Sequence, residues 1–255
     1  MSNIPNHLIS IVGAGPGDPE LLTLRALRRI EQADVILYDA LHGDEILELA
    51  SVHCLKIYAG KHYQDGQLQT ERQHEILRQL REFALAGKRV VRLKAGDPFI
   101  FGRGAEELEF CLSENLNVEV IPGITAGLAA TAHFHIPATL RGVNSMALFY
   151  TGHKRNGGFD DIEVVASVLK TDAPVMIYMG LKNLGFLSEE LQKFAIPAGT
   201  PLQIVSRVGH PDQKIFTSTL GEIACFLKAE DPPMPSLIIL GTYAQPLKGD
   251  GSVLK

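Results

Sequence analysis

The chain has 255 residues, 45% of them hydrophobic and 21% charged, with a formal net charge of −5. That balance is ordinary for a soluble globular protein and leaves room for one large core or two modest ones. The acidic excess speaks against a nucleic-acid partner, which calls for a clustered basic surface, and no apolar run reaches the ~18 residues that would indicate a membrane span.

Short apolar runs alternate with longer helical patterns, the pattern of a parallel sheet with crossover helices. Strands are expected at 8–12, 35–39, 54–58, 89–94 and 118–121, with helices at 19–33, near 44–49, at 69–86, 105–112 and 125–132. In the first helix Leu21, Leu24, Leu27 and Ile30 share one face, which should lie against the sheet. The segment 137–142 breaks the alternation and reads as a linker. A second α/β set follows, with strands at 145–150, 175–179, 202–206, 214–217 and 237–241, and then a polar tail over 246–255. The expected organisation is therefore an N-terminal α/β domain over 1–142 and a C-terminal one over 143–245, with a ligand cleft between them.

The opening residues Met1–His7 carry neither a charged nor an apolar signal region, so the cytoplasm is the expected location. Cys54, Cys111 and Cys225 are far apart and lie in apolar runs, which reads as buried free thiols. His133 and His135 lack the nearby acids or cysteines of a metal site, and no metal is expected.

Four expected strands run into loops rich in Gly and Pro. These are Gly13-Ala14-Gly15-Pro16-Gly17-Asp18-Pro19, Ala95-Gly96-Asp97-Pro98-Phe99-Ile100-Phe101-Gly102-Arg103-Gly104, Pro122-Gly123-Ile124-Thr125-Ala126 and Tyr178-Met179-Gly180-Leu181. The carboxyl ends of parallel strands form the crevice in which such sheets bind small molecules. A dinucleotide fingerprint fits the first loop poorly, because Asp18 stands where a third Gly is needed and Pro16 lacks an N–H. No Gly-Lys-Ser/Thr follows any of the loops, which removes a Walker-type phosphate site. Asp97 reads either as a cap for the following helix or as a ligand contact. Thr125-Ala126 reads as a helix cap or a contact, and Met179 as an apolar strand end or a contact.

Taken in this order, from about Ile9 to about Gly241, the four segments resemble the S-adenosylmethionine-dependent tetrapyrrole methyltransferases. The resemblance implies S-adenosylmethionine as methyl donor, with Pro16 lining the active site and Ala95, Gly96, Asp97, Ile100, Thr125, Ala126, Met179 and Val208 around the cofactor. It implies Asp39 and Lys61 as the base and acid, and Arg103 and Arg141 as partners of the substrate carboxylates, with Lys154, Arg155 and Arg207 as weaker candidates. The acceptor it implies is uroporphyrinogen III, methylated on carbon at two ring positions to give precorrin-2 for sirohaem or cobalamin synthesis, by a homodimer. Three positions depart from the family pattern: Ala95 and Val208 each replace a Gly, and His62 replaces an Arg. Two other readings stay open, a relative acting later in corrin synthesis or on a protein side chain, and a non-catalytic nucleotide- or metabolite-binding module.

Overall fold

The computed structural model describes residues 8–39, 44–60, 69–152 and 159–247. The chain divides into two compact units, Met1–Thr125 and Ala126–Lys255, each built around its own sheet.

The first unit contains β1 (Ile9–Gly13), α1 (Leu24–Glu31), β2 (Val35–Tyr38), α2 (Asp44–Glu48), β3 (Leu55–Tyr58), α3 (Gln69–Leu85), β4 (Val90–Lys94), α4 (Gly104–Ser113) and β5 (Val118–Ile121). Its sheet has the order β3-β2-β4-β1-β5 and every pairing is parallel. Side chains alternate between the two faces, and both faces are covered, as a parallel sheet requires. Val12, Ile36, Val91 and Leu93 pack with Ala26, Ile30, Ile46 and Leu47 of α1 and α2. Ile9, Ile11, Leu37 and Val90 pack on the other face with Ile76, Leu80 and Cys111 of α3 and α4. From β1 the chain winds towards β2 and β3, whereas from β4 it winds the other way to β5. The adjacent carboxyl ends of β1 and β4 are therefore the point at which the winding reverses, where open α/β sheets hold ligands.

The first helix is shorter than its pattern suggests. Pro19–Leu21 form a single 3₁₀ turn, and Thr23 then caps a new helix through a bond from the Ala26 N–H to its Oγ1 (3.2 Å). That cap sets the register on Ala26 and Ile30, and Leu24 is left 72% exposed rather than packed.

The second unit contains α5 (Ala126–His133), β6 (Leu148–Thr151), α6 (Ile162–Leu169), β7 (Val175–Tyr178), α7 (Leu184–Lys193), β8 (Pro201–Ser206), β9 (Lys214–Thr219), α8 (Ile223–Ala229) and β10 (Ser236–Leu240). Its sheet has the order β6-β7-β10-β8-β9, and only β6 and β7 are parallel. The direct β8–β9 connection is too short for a crossover, which forces an antiparallel pair. The division between units falls before α5, not at 142 as the sequence pattern suggests. The N–H of Gly127 in α5 donates to the Tyr178 hydroxyl (2.8 Å), and Ile136 beyond the helix is buried, so this stretch belongs with the second sheet.

Among the cysteines, Cys54 and Cys111 are buried as expected, and burial pushes the Cys111 thiol up to about 11. Cys225, on the outer side of α8, is exposed, contrary to its apolar surroundings in sequence.

Candidate active site

Three strands of the first unit run into loops whose glycine backbones interlock. Ala14 N–H donates to the Lys94 carbonyl (2.8 Å), Gly15 N–H to Gly96 O (3.2 Å), and Gly96 N–H to Gly15 O (2.7 Å), which zips the β1 loop to the β4 loop. A Cβ on Gly13 would lie 2.5 Å from Gly123 N and 2.7 Å from Gly96 O. Only glycine fits there, because every clashing atom is backbone. Gly96 also has φ +65°, while Ala95 before it stays outside the left-handed region.

Asp97 clasps this junction. Its Oδ1 accepts from Phe99 N–H (2.9 Å) and its Oδ2 from Gly123 N–H (3.1 Å), so it joins the β4 loop to the β5 loop. It does not cap α4. The N-cap position of that helix is Arg103, in the left-handed region (φ 60°) and with no side-chain cap bond. Phe101 is left-handed too (φ 54°), and such residues each store of order 1–3 kcal/mol of strain. Phe99, 53% exposed, and Phe101 leave two large apolar rings accessible on this loop, with half-buried Ile100 between them. Pro16, within the β1 loop, is buried.

The expected base, Asp39, follows β2 and keeps 30% side-chain exposure. Among the described residues the cation beside it is Arg92; the expected Lys61 lies outside the described residues, together with His62, Lys154 and Arg155. Arg92 is 2% exposed and donates from all three of its guanidinium nitrogens. Nη2 reaches both Asp39 oxygens at 2.8 Å, Nη1 reaches Leu93 O (3.1 Å) and Leu37 O (3.4 Å), and Nε reaches Glu107 Oε1 (3.0 Å). The same Glu107 oxygen accepts from Lys94 Nζ (2.9 Å) and Gln73 Nε2 (3.4 Å). Glu107 Oε2 is buried without a hydrogen-bond partner among the described residues. Burial works against the Arg92 charge, but Glu107 and Asp39 outweigh it and hold the guanidinium above its ordinary range. For Lys94 burial prevails, aided by the Arg92 charge, and the ammonium is drawn below the usual lysine range.

Arg92, Lys94, Glu107 and Gln73 were not singled out by sequence, yet a signal existed. In Val90-Val91-Arg92-Leu93-Lys94 two cations stand two apart in a strand covered on both faces, so they share one face and must meet buried anions.

Arg103 is spoken for in this structure. Its Nε and Nη2 pair with the two oxygens of Glu106 at 2.9 and 2.6 Å, and that pairing is the main reason its guanidinium is held above the ordinary arginine range. Arg141 is exposed on a turn braced by Asn144, whose Oδ1 accepts from Leu140 N–H (2.6 Å). Thr125 is buried and Ala126 half-buried at the start of α5.

In the second unit Met179 follows β7 in the left-handed region (φ 54°) with 50% exposure, a costly conformation for a long side chain. Val208 is buried and outside that region, so a non-glycine residue sits there without a left-handed backbone. The turn around it is held by Gln213, whose Oε1 accepts from Gly209 N–H (3.2 Å) and lies 2.9 Å from His133 Nδ1. Arg207 is paired with Asp212 (2.8 Å).

The profile of the tetrapyrrole (corrin/porphyrin) methylases matches residues 8–224, and the chain belongs to that family. It is 41% identical over 233 residues to the uroporphyrinogen-III C-methyltransferase of Priestia megaterium, covering 91% of this chain and 96% of that one. It is 41% identical over 237 residues to the S-adenosyl-L-methionine-dependent uroporphyrinogen III methyltransferase of Arabidopsis thaliana chloroplasts, covering 93% of this chain and 63% of the relative. The chain spans about half the length of the siroheme synthases it also matches. A uroporphyrin-III C-methyltransferase from Thermus thermophilus, solved with S-adenyl homocysteine, superimposes with a TM-score of 0.77 at 36% identity and covers 91% of each chain. No helix among the described residues is long and apolar enough to cross a membrane.

Proposed function

We propose that this chain methylates uroporphyrinogen III on carbon at two ring positions, giving precorrin-2, with S-adenosylmethionine as donor. The observation that carries the reading is the nearly end-to-end match with the Priestia megaterium enzyme. The glycine junction fits such a donor. With no Cβ on Gly13, Gly96 or Gly123, that end of the sheet offers backbone groups and the Asp97 carboxylate, which suit ribose hydroxyls and an ammonium. Gly96, Asp97, Ala95, Ile100, Thr125, Ala126, Met179 and Val208 are the residues proposed to hold it, with Pro16 lining the site. When bound, the donor supplies an electrophilic methyl group.

The chain's own contribution is orientation and proton handling. Orienting two reactants is worth about 7–11 kcal/mol of barrier in favourable cases. Asp39 is assigned as acceptor of the ring proton lost after methylation, with Lys61 as the accompanying acid. Arg103 and Arg141 are assigned to substrate carboxylates, and for Arg103 a substrate carboxylate would displace Glu106. The exposed rings of Phe99 and Phe101 suit an apolar macrocycle face. Cytoplasmic location and a homodimer complete the reading.

The deciding experiment is an anaerobic incubation with labelled S-adenosylmethionine and uroporphyrinogen III, followed by mass analysis. The expected product carries two added methyl groups. Methylation only of later precorrins would move the chain to another step, and no transfer to any tetrapyrrole would leave a binding module.

A further inference from the structure

We propose that Arg92 is a positioning residue for the reaction: from inside the sheet it fixes the carboxylate of Asp39, and Glu107 in turn fixes Arg92. This rests on the assignment of Asp39 as proton acceptor. Arg92 is buried and Asp39 is partly exposed, so the pair presents one carboxylate outward from a fixed interior cation. The guanidinium binds carbonyls of both β2 and β4 and both Asp39 oxygens, which fixes the acceptor relative to the strand ends on either side. A Lys side chain has three donors and no planar fork, and cannot reproduce these five bonds.

Stability alone does not account for such an arrangement. Buried ion pairs are often no more stabilising than apolar residues of similar volume. The neighbouring positions Val90, Val91 and Leu93 show that this strand accommodates apolar side chains. Gln73 and Lys94 both converge on Glu107, which holds the far end of the guanidinium and leaves Nη2 for Asp39.

The test is a double-mutant cycle on single-turnover methyl transfer at saturating S-adenosylmethionine. Asp39→Asn is expected to slow transfer by about a hundredfold or more, and Arg92→Lys by roughly tenfold to a hundredfold, the scale of a misplaced group. Affinity for S-adenosylmethionine should stay at the parent value in both. If Arg92 acts through Asp39, the double variant is no slower than Asp39→Asn alone. Multiplying losses, or Arg92→Lys at the parent rate, would overturn the proposal while leaving the base assignment intact. Asp39→Asn at the parent rate would remove both. If Arg92→Lys does not fold, the same cycle with Glu107→Gln decides. Glu107→Gln keeps the side-chain shape and four of the five Arg92 acceptors, and should slow transfer only when Asp39 is present. Any other result in that cycle overturns the proposal.

Discussion

Lys94 Nζ lies 2.9 Å from Oε1 of Glu107, the same oxygen that accepts from Arg92, so a single buried carboxylate answers two strand cations. Lys94 and Glu107 are 4% and 0% exposed at their side chains, and water cannot substitute for either partner. The two residues are therefore unequal in what their loss leaves behind.

Removing Glu107 strands Lys94 and leaves Arg92 with Asp39 as its one carboxylate, whereas removing Lys94 leaves Arg92 paired with Glu107 and Asp39. Glu107→Leu is expected to cost about 3–5 kcal/mol, the scale of breaking a buried pair from one side. Lys94→Met should cost less than half as much, because it also removes a cation whose burial is unfavourable and a repulsion with Arg92. Urea unfolding of the two variants gives the comparison, and equal losses would contradict it.

Much of the first unit was legible because its strands are continuous apolar runs and its loops carry Gly and Pro at the strand ends. The β4 loop stood out by composition alone. The second sheet was legible as strands and helices but not as a mixed sheet, since direction depends on which strands pair, and β10 inserts between β7 and β8 from far along the chain. The division before α5 was hidden for a similar reason: the bond from Gly127 N–H to Tyr178 Oη spans 51 residues. At the site, Asp97 could be read as a carboxylate at a strand end, yet its bond to Gly123 joins loops 26 residues apart, and no local pattern announces it. Arg103 and Arg207 were recognisable as cations; that acidic neighbours already occupy them depends on rotamers, which sequence does not specify.

Asp34 ties the starts of β2 and β4 together. Arg89 donates to it from its backbone N–H (2.8 Å), Nε (3.1 Å) and Nη2 (2.8 Å), and the side-chain bonds from Arg89 are the main cause holding this carboxyl below its ordinary 3.8. A carboxyl depressed on folding contributes stability above its unfolded value and loses it as pH falls through the folded one. The contribution should thus be complete above pH 3.8 and fade below it. Both side chains are about one-third exposed, so its size is at most about 1 kcal/mol. Asp34→Asn should lower stability by that amount at neutral pH and converge with the parent well below pH 3.8. Denaturant melts across that range test the sign, and a gap that widens on acidification would refute it.

Gly123 faces the Gly96 carbonyl on one side and Gly13 on the other, where an added Cβ would stand 2.8 Å from Gly13 Cα. Since the obstructing atoms are backbone, relief requires the loops to part, at a cost of about 1–3 kcal/mol. Asp97 closes the same contact from the side-chain direction through Gly123 N–H. Gly123→Ala should therefore destabilise the protein, whereas Gly199→Ala, where a Cβ meets nothing within 4 Å, should be neutral or slightly stabilising. If this junction shapes the donor site, Asp97→Ala and Gly123→Ala should each weaken S-adenosylmethionine binding by about 1.5–3 kcal/mol, the scale of a charge-assisted hydrogen bond. Because both act on one contact, the double variant should lose clearly less than the sum. Calorimetric titration of the folded variants measures this directly: unchanged affinity in Gly123→Ala would separate the glycine junction from the donor, and additive losses would mean that Asp97 meets the ligand independently of the loop it holds.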